Sequence, residues 1–125
     1  MSKRILVVED QDDNRRILRD LLTSAGYEMV EAVTGKEGVA MAEAHRPDLI
    51  LMDIQLPEID GYEATRRIKA DPALQPIPII AVTSYALSGD DAMAYEAGCV
   101  GYVTKPFSPR QLLAKIRELL PPGDS

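Results

Sequence analysis

The sequence predicts an α/β domain, a five-stranded parallel sheet flanked by five helices. Three observations predict it. Strand-like and helix-like patterns alternate along all 125 residues without a break in composition. The strand-like runs are short and almost wholly apolar, as strands buried on both faces must be. The connections are short, which leaves right-handed crossovers between parallel strands as the economical topology.

The first strand is Ile5-Leu6-Val7-Val8, a β-branched run ending in Glu9-Asp10. A helix follows, with Ile17, Leu18, Leu21, Leu22 and Ala25 at helical spacing and Arg15, Arg16, Arg19 and Asp20 on the opposite face. Gly26 is placed to close it, because glycine adopts the left-handed conformation that ends helices. Tyr27 to Val33 reads as a weaker second strand. Thr34 and Glu37 have capping-box spacing and open a second helix through Val39, Met41, Ala42 and Ala44, which Pro47 stops. The third strand, Leu49-Ile50-Leu51-Met52, lies between Asp48 and Asp53 and runs into Ile54-Gln55-Leu56-Pro57.

The second half repeats the scheme. A third helix spans about 61–70 and ends before Asp71-Pro72. Ile79-Ile80-Ala81-Val82 is a fourth strand ending at Thr83-Ser84. Ser88 with Asp91 can open the fourth helix, and Gly98 would close it. Gly101 to Thr104 is the fifth strand, ending at Lys105-Pro106. Ser108, Pro109 and Gln111 supply an N-cap, an N1 proline and an N3 partner for a last helix that buries Leu112, Leu113, Ile116, Leu119 and Leu120. One domain over 1–120 is expected, with 121–125 as a short polar tail.

A flavodoxin-like strand order of 2-1-3-4-5 is the simplest arrangement of these units, with its switch point between strands 1 and 3. Ligands of open parallel sheets bind at the carboxyl ends of the strands. Glu9, Asp10, Asp53, Thr83 and Lys105 all end strands and should therefore converge there.

That convergence has a chemistry. Three packed carboxylates repel one another and call for a cation. Hard oxygen ligands that leave room for water and phosphate oxygens suit Mg²⁺. One carboxylate can then act as a nucleophile and carry an aspartyl-phosphate. Lys105 offers a compact positive charge and Thr83 a hydroxyl donor to the transferred phosphoryl oxygens.

Composition narrows the partners. A net charge of −6 argues against nucleic acid and against anionic membrane surfaces. The single cysteine, Cys99, allows no internal disulfide and suits a reducing compartment. No signal peptide or membrane span is evident, so a cytoplasmic location is expected. Gly35-Lys36-Glu37-Gly38 lacks the ending of a phosphate-binding P-loop and reads as a helix start. His45 ends the second helix beside Arg46-Pro47, where its charge suits the dipole, and no base or partner marks it as a phosphohistidine.

Four motifs together resemble the response-regulator receiver domain of two-component signalling: Ile5 through Asp10, Asp48 through Gly61, Ala81 through Ser84, and Lys105-Pro106-Phe107. The resemblance covers Ile5 to about Leu120 and is closest in character to free-standing receivers. It implies that Asp53 accepts a phosphoryl group from a histidine kinase or a phosphotransfer protein. It implies direct Mg²⁺ ligation by Asp10 and Asp53, with Glu9 acting through water and Gln55 through its backbone carbonyl. It also implies phosphoryl contacts from Thr83 and Lys105, and a cis Lys105-Pro106 bond. Thr83 and Tyr102 would form a paired switch that remodels the face of helix 4, strand 5 and helix 5 for a downstream protein partner, leaving the Arg15-Arg16-Arg19 face to the phosphodonor. The expected state is a monomer or a weak dimer formed on phosphorylation.

Two other functions stand beside the switch. A receiver-shaped module that binds partners without accepting phosphate would normally lack one of the acidic residues or Lys105, and none is missing. An aspartyl-phosphate hydrolase of the haloacid-dehalogenase type resembles the nucleophile motif but needs a second aspartate where this chain has Gln55. The chain is thus expected to catalyse its own phosphorylation and dephosphorylation only, not to act as an enzyme on other substrates.

Overall fold

The computed structural model describes residues 3–83, 90–105 and 108–120, with backbone alone at 90 and 91. Strand β1 (Arg4–Val8) leads to helix α1 (Asp12–Ser24), β2 (Glu28–Ala32) to α2 (Gly35–His45), and β3 (Leu49–Asp53) to α3 (Gly61–Lys69). Strand β4 (Ile79–Thr83) leads to α4 (Asp90–Ala97), and β5 (Gly101–Thr104) to α5 (Pro109–Leu119). The five strands form one parallel sheet in the order β2-β1-β3-β4-β5.

Strands β3 and β4 are buried at all five of their positions, which is why their sequences run apolar instead of alternating. Successive side chains still point to opposite faces. Leu6, Val8, Ile50, Met52, Ile79 and Ala81 face a core completed by α2, α3 and α4. Ile5, Val7, Leu49, Leu51, Ile80 and Val82 face a second core completed by α1 and α5. Tyr27 ties the far end of that second core together, its buried hydroxyl donating to the Leu120 carbonyl at 2.9 Å.

The caps follow the local chemistry. Thr34 accepts from the Glu37 N–H at 3.0 Å, Asp60 from the Glu63 N–H at 2.9 Å, and Ser108 from the Gln111 N–H at 3.4 Å. The Glu37 carboxylate reaches back to the Val33 N–H, one residue before the cap. Gly26 and Gly98 close α1 and α4 with φ of 94° and 118°. The expected Ser88 cap of α4, the Thr83-Ser84 strand end beyond Thr83, the Lys105-Pro106 peptide bond and the 121–125 tail lie outside the described residues.

Two expected core residues are not core. Ile17 is 53% exposed on α1 and Leu119 is 41% exposed on α5. A helix lying on a sheet buries only a stripe of its surface, and Leu18 with Leu22, and Leu112 with Ile116, fill those stripes. Cys99 is buried, its sulfur 3.9 Å from the Thr65 hydroxyl.

Candidate functional site

Parallel topology brings the carboxyl ends of β1, β3, β4 and β5 to one edge. Asp53 is the last residue of β3, Thr83 the last of β4, and Lys105 follows β5 directly, while Glu9 and Asp10 follow β1. Asp53 pairs in register with Val82, so Thr83 lies one step beyond it on the adjacent strand. The Lys105 N–H donates to the Thr83 carbonyl at 2.7 Å, which fixes where the lysine leaves the sheet. The five residues expected to converge all end at this edge.

Carboxylate oxygens of Glu9, Asp10 and Asp53 lie within 4.8 Å of one another. Glu9 and Asp53 are 2% and 4% exposed, whereas Asp10 faces solvent. Lys105 Nζ donates to Glu9 Oε1 at 2.7 Å and approaches Asp53 Oδ2 at 3.5 Å. Backbone N–H groups hold the remaining oxygens: Gln11 donates to Glu9 Oε2 at 3.2 Å and Gln55 to Asp53 Oδ1 at 3.0 Å. Gln55 itself is half-buried.

Burial, reinforced by the negative charge of Glu9, pushes the Asp53 carboxyl from its ordinary value up to about 6. The Gln55 N–H and Lys105 offset only part of this. Burial acts on Glu9 in the same direction, but the hydrogen bond and charge of Lys105 outweigh it and hold Glu9 below its usual range. The neighbours divide the two acids into one that holds its charge and one that resists ionising.

Three carboxylates against one ammonium leave two negative charges at this edge. The donor set is all oxygen, one member is open to water, and the oxygens are near enough to share an ion. These residues fit a small, hard divalent cation.

The loop after Asp53 keeps its own backbone close to the site. The Gly61 N–H donates to the Ile54 carbonyl at 2.9 Å. A side chain at Gly61 would place its Cβ 2.3 Å from the Asp53 carbonyl oxygen and 2.7 Å from Ile54 Cα, so only glycine fits. Glu58 takes a φ of 68° in the same loop. Thr83 is 2% exposed, and Tyr102, paired with Ala81 across β4 and β5, packs half-buried against the core.

Arg15 departs from the sequence reading of an Arg15-Arg16-Arg19 face opposite the apolar stripe, left to a phosphodonor. Its side chain is only 12% exposed. Its Nη1 donates to the Glu9 main-chain carbonyl at 2.8 Å, its Nε lies 3.3 Å from Glu31 Oε1, and its Nη2 binds Asp12. Glu31 is also held by Arg19 through two bonds of 2.9 and 2.7 Å. Of the three arginines, Arg15 and Arg19 are spent on this network. The available signal was an arginine one turn into the helix after an acidic strand end, with a glutamate near the end of the neighbouring strand.

A 2-1-3-4-5 sheet with an acidic trio and a lysine at its carboxyl edge defines the receivers of two-component signalling. The chain belongs to that family: the response regulator receiver domain matches residues 5–117. It is 43% identical to the polar-differentiation response regulator DivK of Brucella anthropi over 125 residues, the whole of both chains. The receiver domain of sensor histidine kinase PA1611 from Pseudomonas aeruginosa, with a magnesium ion coordinated in its active-site cleft, is 39% identical. It superposes with a TM-score of 0.88 over 95% of this chain and 98% of that one. The chemotaxis protein CheY4 of Vibrio cholerae gives 28% identity and a TM-score of 0.90 over 96% and 100%. Among the described residues no helix is long and apolar enough to cross a membrane.

Proposed function

We propose that this chain is a phosphorylation-dependent switch whose acceptor is Asp53. The observation that carries the reading is the placement of Asp53, a buried carboxylate at the end of the central strand with Glu9, Asp10 and Lys105 around it. The donor is a phosphohistidine on a histidine kinase or phosphotransfer protein. An Asp53 carboxylate oxygen attacks phosphorus, the O–P bond forms as the P–N bond breaks, and the histidine nitrogen keeps the electron pair and takes up a proton.

Asp10 and Asp53 would hold Mg²⁺ directly, Glu9 through water and Gln55 through its backbone carbonyl. The bound cation supplies charge neutralisation at the phosphoryl oxygens. Lys105 would swing from Glu9 toward the transferred group, and Thr83 would donate its hydroxyl to it. The gain of charge and acceptor oxygens draws Thr83 inward, and Tyr102 follows into the vacated space. The altered surface is then α4, β5 and α5, read by a downstream protein. Arg16, the arginine outside the Glu31 network, is left as the basic contact for the donor. In this reading residues 1–120 form the receiver and 121–125 a polar tail.

The test is labelling by acetyl phosphate with Mg²⁺. One base-labile acyl phosphate is expected on Asp53, absent in Asp53→Asn. Undiminished labelling of that variant would sink the assignment, and an unlabelled wild type would favour a phosphorylation-independent interaction module.

A further inference from the structure

We infer that Arg15 is a positioning residue for the cation site, acting through the peptide that joins Glu9 to Asp10; this rests on the reading of that site given above. Asp10 is the exposed member of the trio, and among the described residues no hydrogen bond or ion pair holds its carboxylate. Its placement therefore comes from its backbone alone. That backbone is clamped from two sides. The Glu9 N–H donates to the Ala32 carbonyl at 3.0 Å, continuing the β1–β2 ladder, and the Glu9 carbonyl accepts from Arg15 at 2.8 Å. The second bond fixes the plane of the Glu9–Asp10 peptide, and so the direction in which Asp10 leaves the strand end.

Arg15 can do this because it is itself pinned. Its planar fork spans the Glu9 carbonyl, Glu31 on β2 and Asp12 on α1, three separate pieces of the loop's surroundings. Glu31 is held in turn by Arg19. A chain of three side chains, Arg19, Glu31 and Arg15, thus runs from the solvent face of α1 to the peptide ahead of Asp10. Partners one layer outside the ligands orient them, and their loss weakens metal binding without removing a ligand.

The sign of the effect separates positioning from charge. A cation near a cation site repels the incoming ion, so on charge alone Arg15→Gln would bind Mg²⁺ more tightly. Positioning requires the opposite. The experiment is calorimetric Mg²⁺ titration of wild type, Asp10→Ala, Arg15→Gln and Glu31→Gln, with the metal-free amide resonance of Asp10 followed by NMR. The expected result is about tenfold weaker binding in Arg15→Gln, a smaller loss in Glu31→Gln, and a broadened Asp10 amide in both. Binding as tight as wild type in Arg15→Gln overturns the inference and leaves the site reading intact. Equal titrations for wild type and Asp10→Ala overturn the site reading, and this inference with it. Should Arg15→Gln not fold, Glu31→Gln decides: unchanged affinity overturns the inference.

Discussion

Lys105 is closer to Glu9 than to Asp53, its ammonium 2.7 Å from one carboxylate and 3.5 Å from the other. Without a phosphoryl group, the lysine serves mainly to offset the buried charge of Glu9, which is 2% exposed. Lys105→Met should therefore cost about 3 kcal/mol in metal-free buffer, the cost of leaving a buried partner uncompensated. Mg²⁺ should raise the melting temperature of this variant more than that of wild type, because the cation replaces the missing charge. A smaller Mg²⁺ shift in the variant would mean that Lys105 organises the cation site and does not compete with it.

Asp53 sets a pH dependence of the metal-free protein. Its folded value near 6 exceeds its ordinary 3.8, so the folded state holds a proton that the unfolded state has lost. Stability should then fall as pH rises between about 4 and 6.5, where the unfolded chain binds fewer protons. The shift corresponds to a penalty on the order of 1–3 kcal/mol above that window. Urea melts in EDTA check it: Asp53→Asn should remove the decline and exceed wild type at neutral pH. A wild type that gains stability across that window would contradict the assignment.

Gly61→Ala tests the close approach of the loop to β3. The new Cβ would meet backbone atoms of Asp53 and Ile54, which cannot turn aside as a side chain could. A loss of about 2–3 kcal/mol is expected, with slower acetyl phosphate labelling as Asp53 is displaced. Unchanged labelling at full stability would show that the loop has room to yield.

Thr83→Ala separates loading from signalling. Beryllofluoride, a stable stand-in for the acyl phosphate, should still load this variant, since Asp53, Asp10 and Lys105 are intact. The gain in affinity for the downstream partner should be mostly lost. Coupling as strong as wild type would remove Thr83 from the relay.

The meeting of Glu9, Asp10, Asp53, Thr83 and Lys105 at one edge was legible because parallel topology alone determines it. Apolar runs gave the strands, and short crossovers gave their order. What stayed hidden depends on distances that no pattern encodes. Lys105 could face either carboxylate from its position after β5, and a difference under one ångström decides which. Ile17 has the right helical spacing for burial, yet it sits where the sheet no longer covers α1. Arg15 fell on the polar side of the helix wheel, which cannot distinguish a solvated guanidinium from one folded back over a loop carbonyl.

Among the described residues, the sheet separates two cores that share no side chain. A change in Leu6 or Ile50 disturbs the packing under α2, α3 and α4, while one in Val7 or Leu51 disturbs that under α1 and α5. Destabilisations on opposite faces should accordingly add, whereas those within one face should couple. Of the helices on the proposed downstream face, α4 thus draws on a reserve of sequence tolerance separate from that of α1, whereas α5 shares the core of α1. On that proposed division of faces, α4 could be rewritten for a new listener while α1 kept its fit to an old speaker.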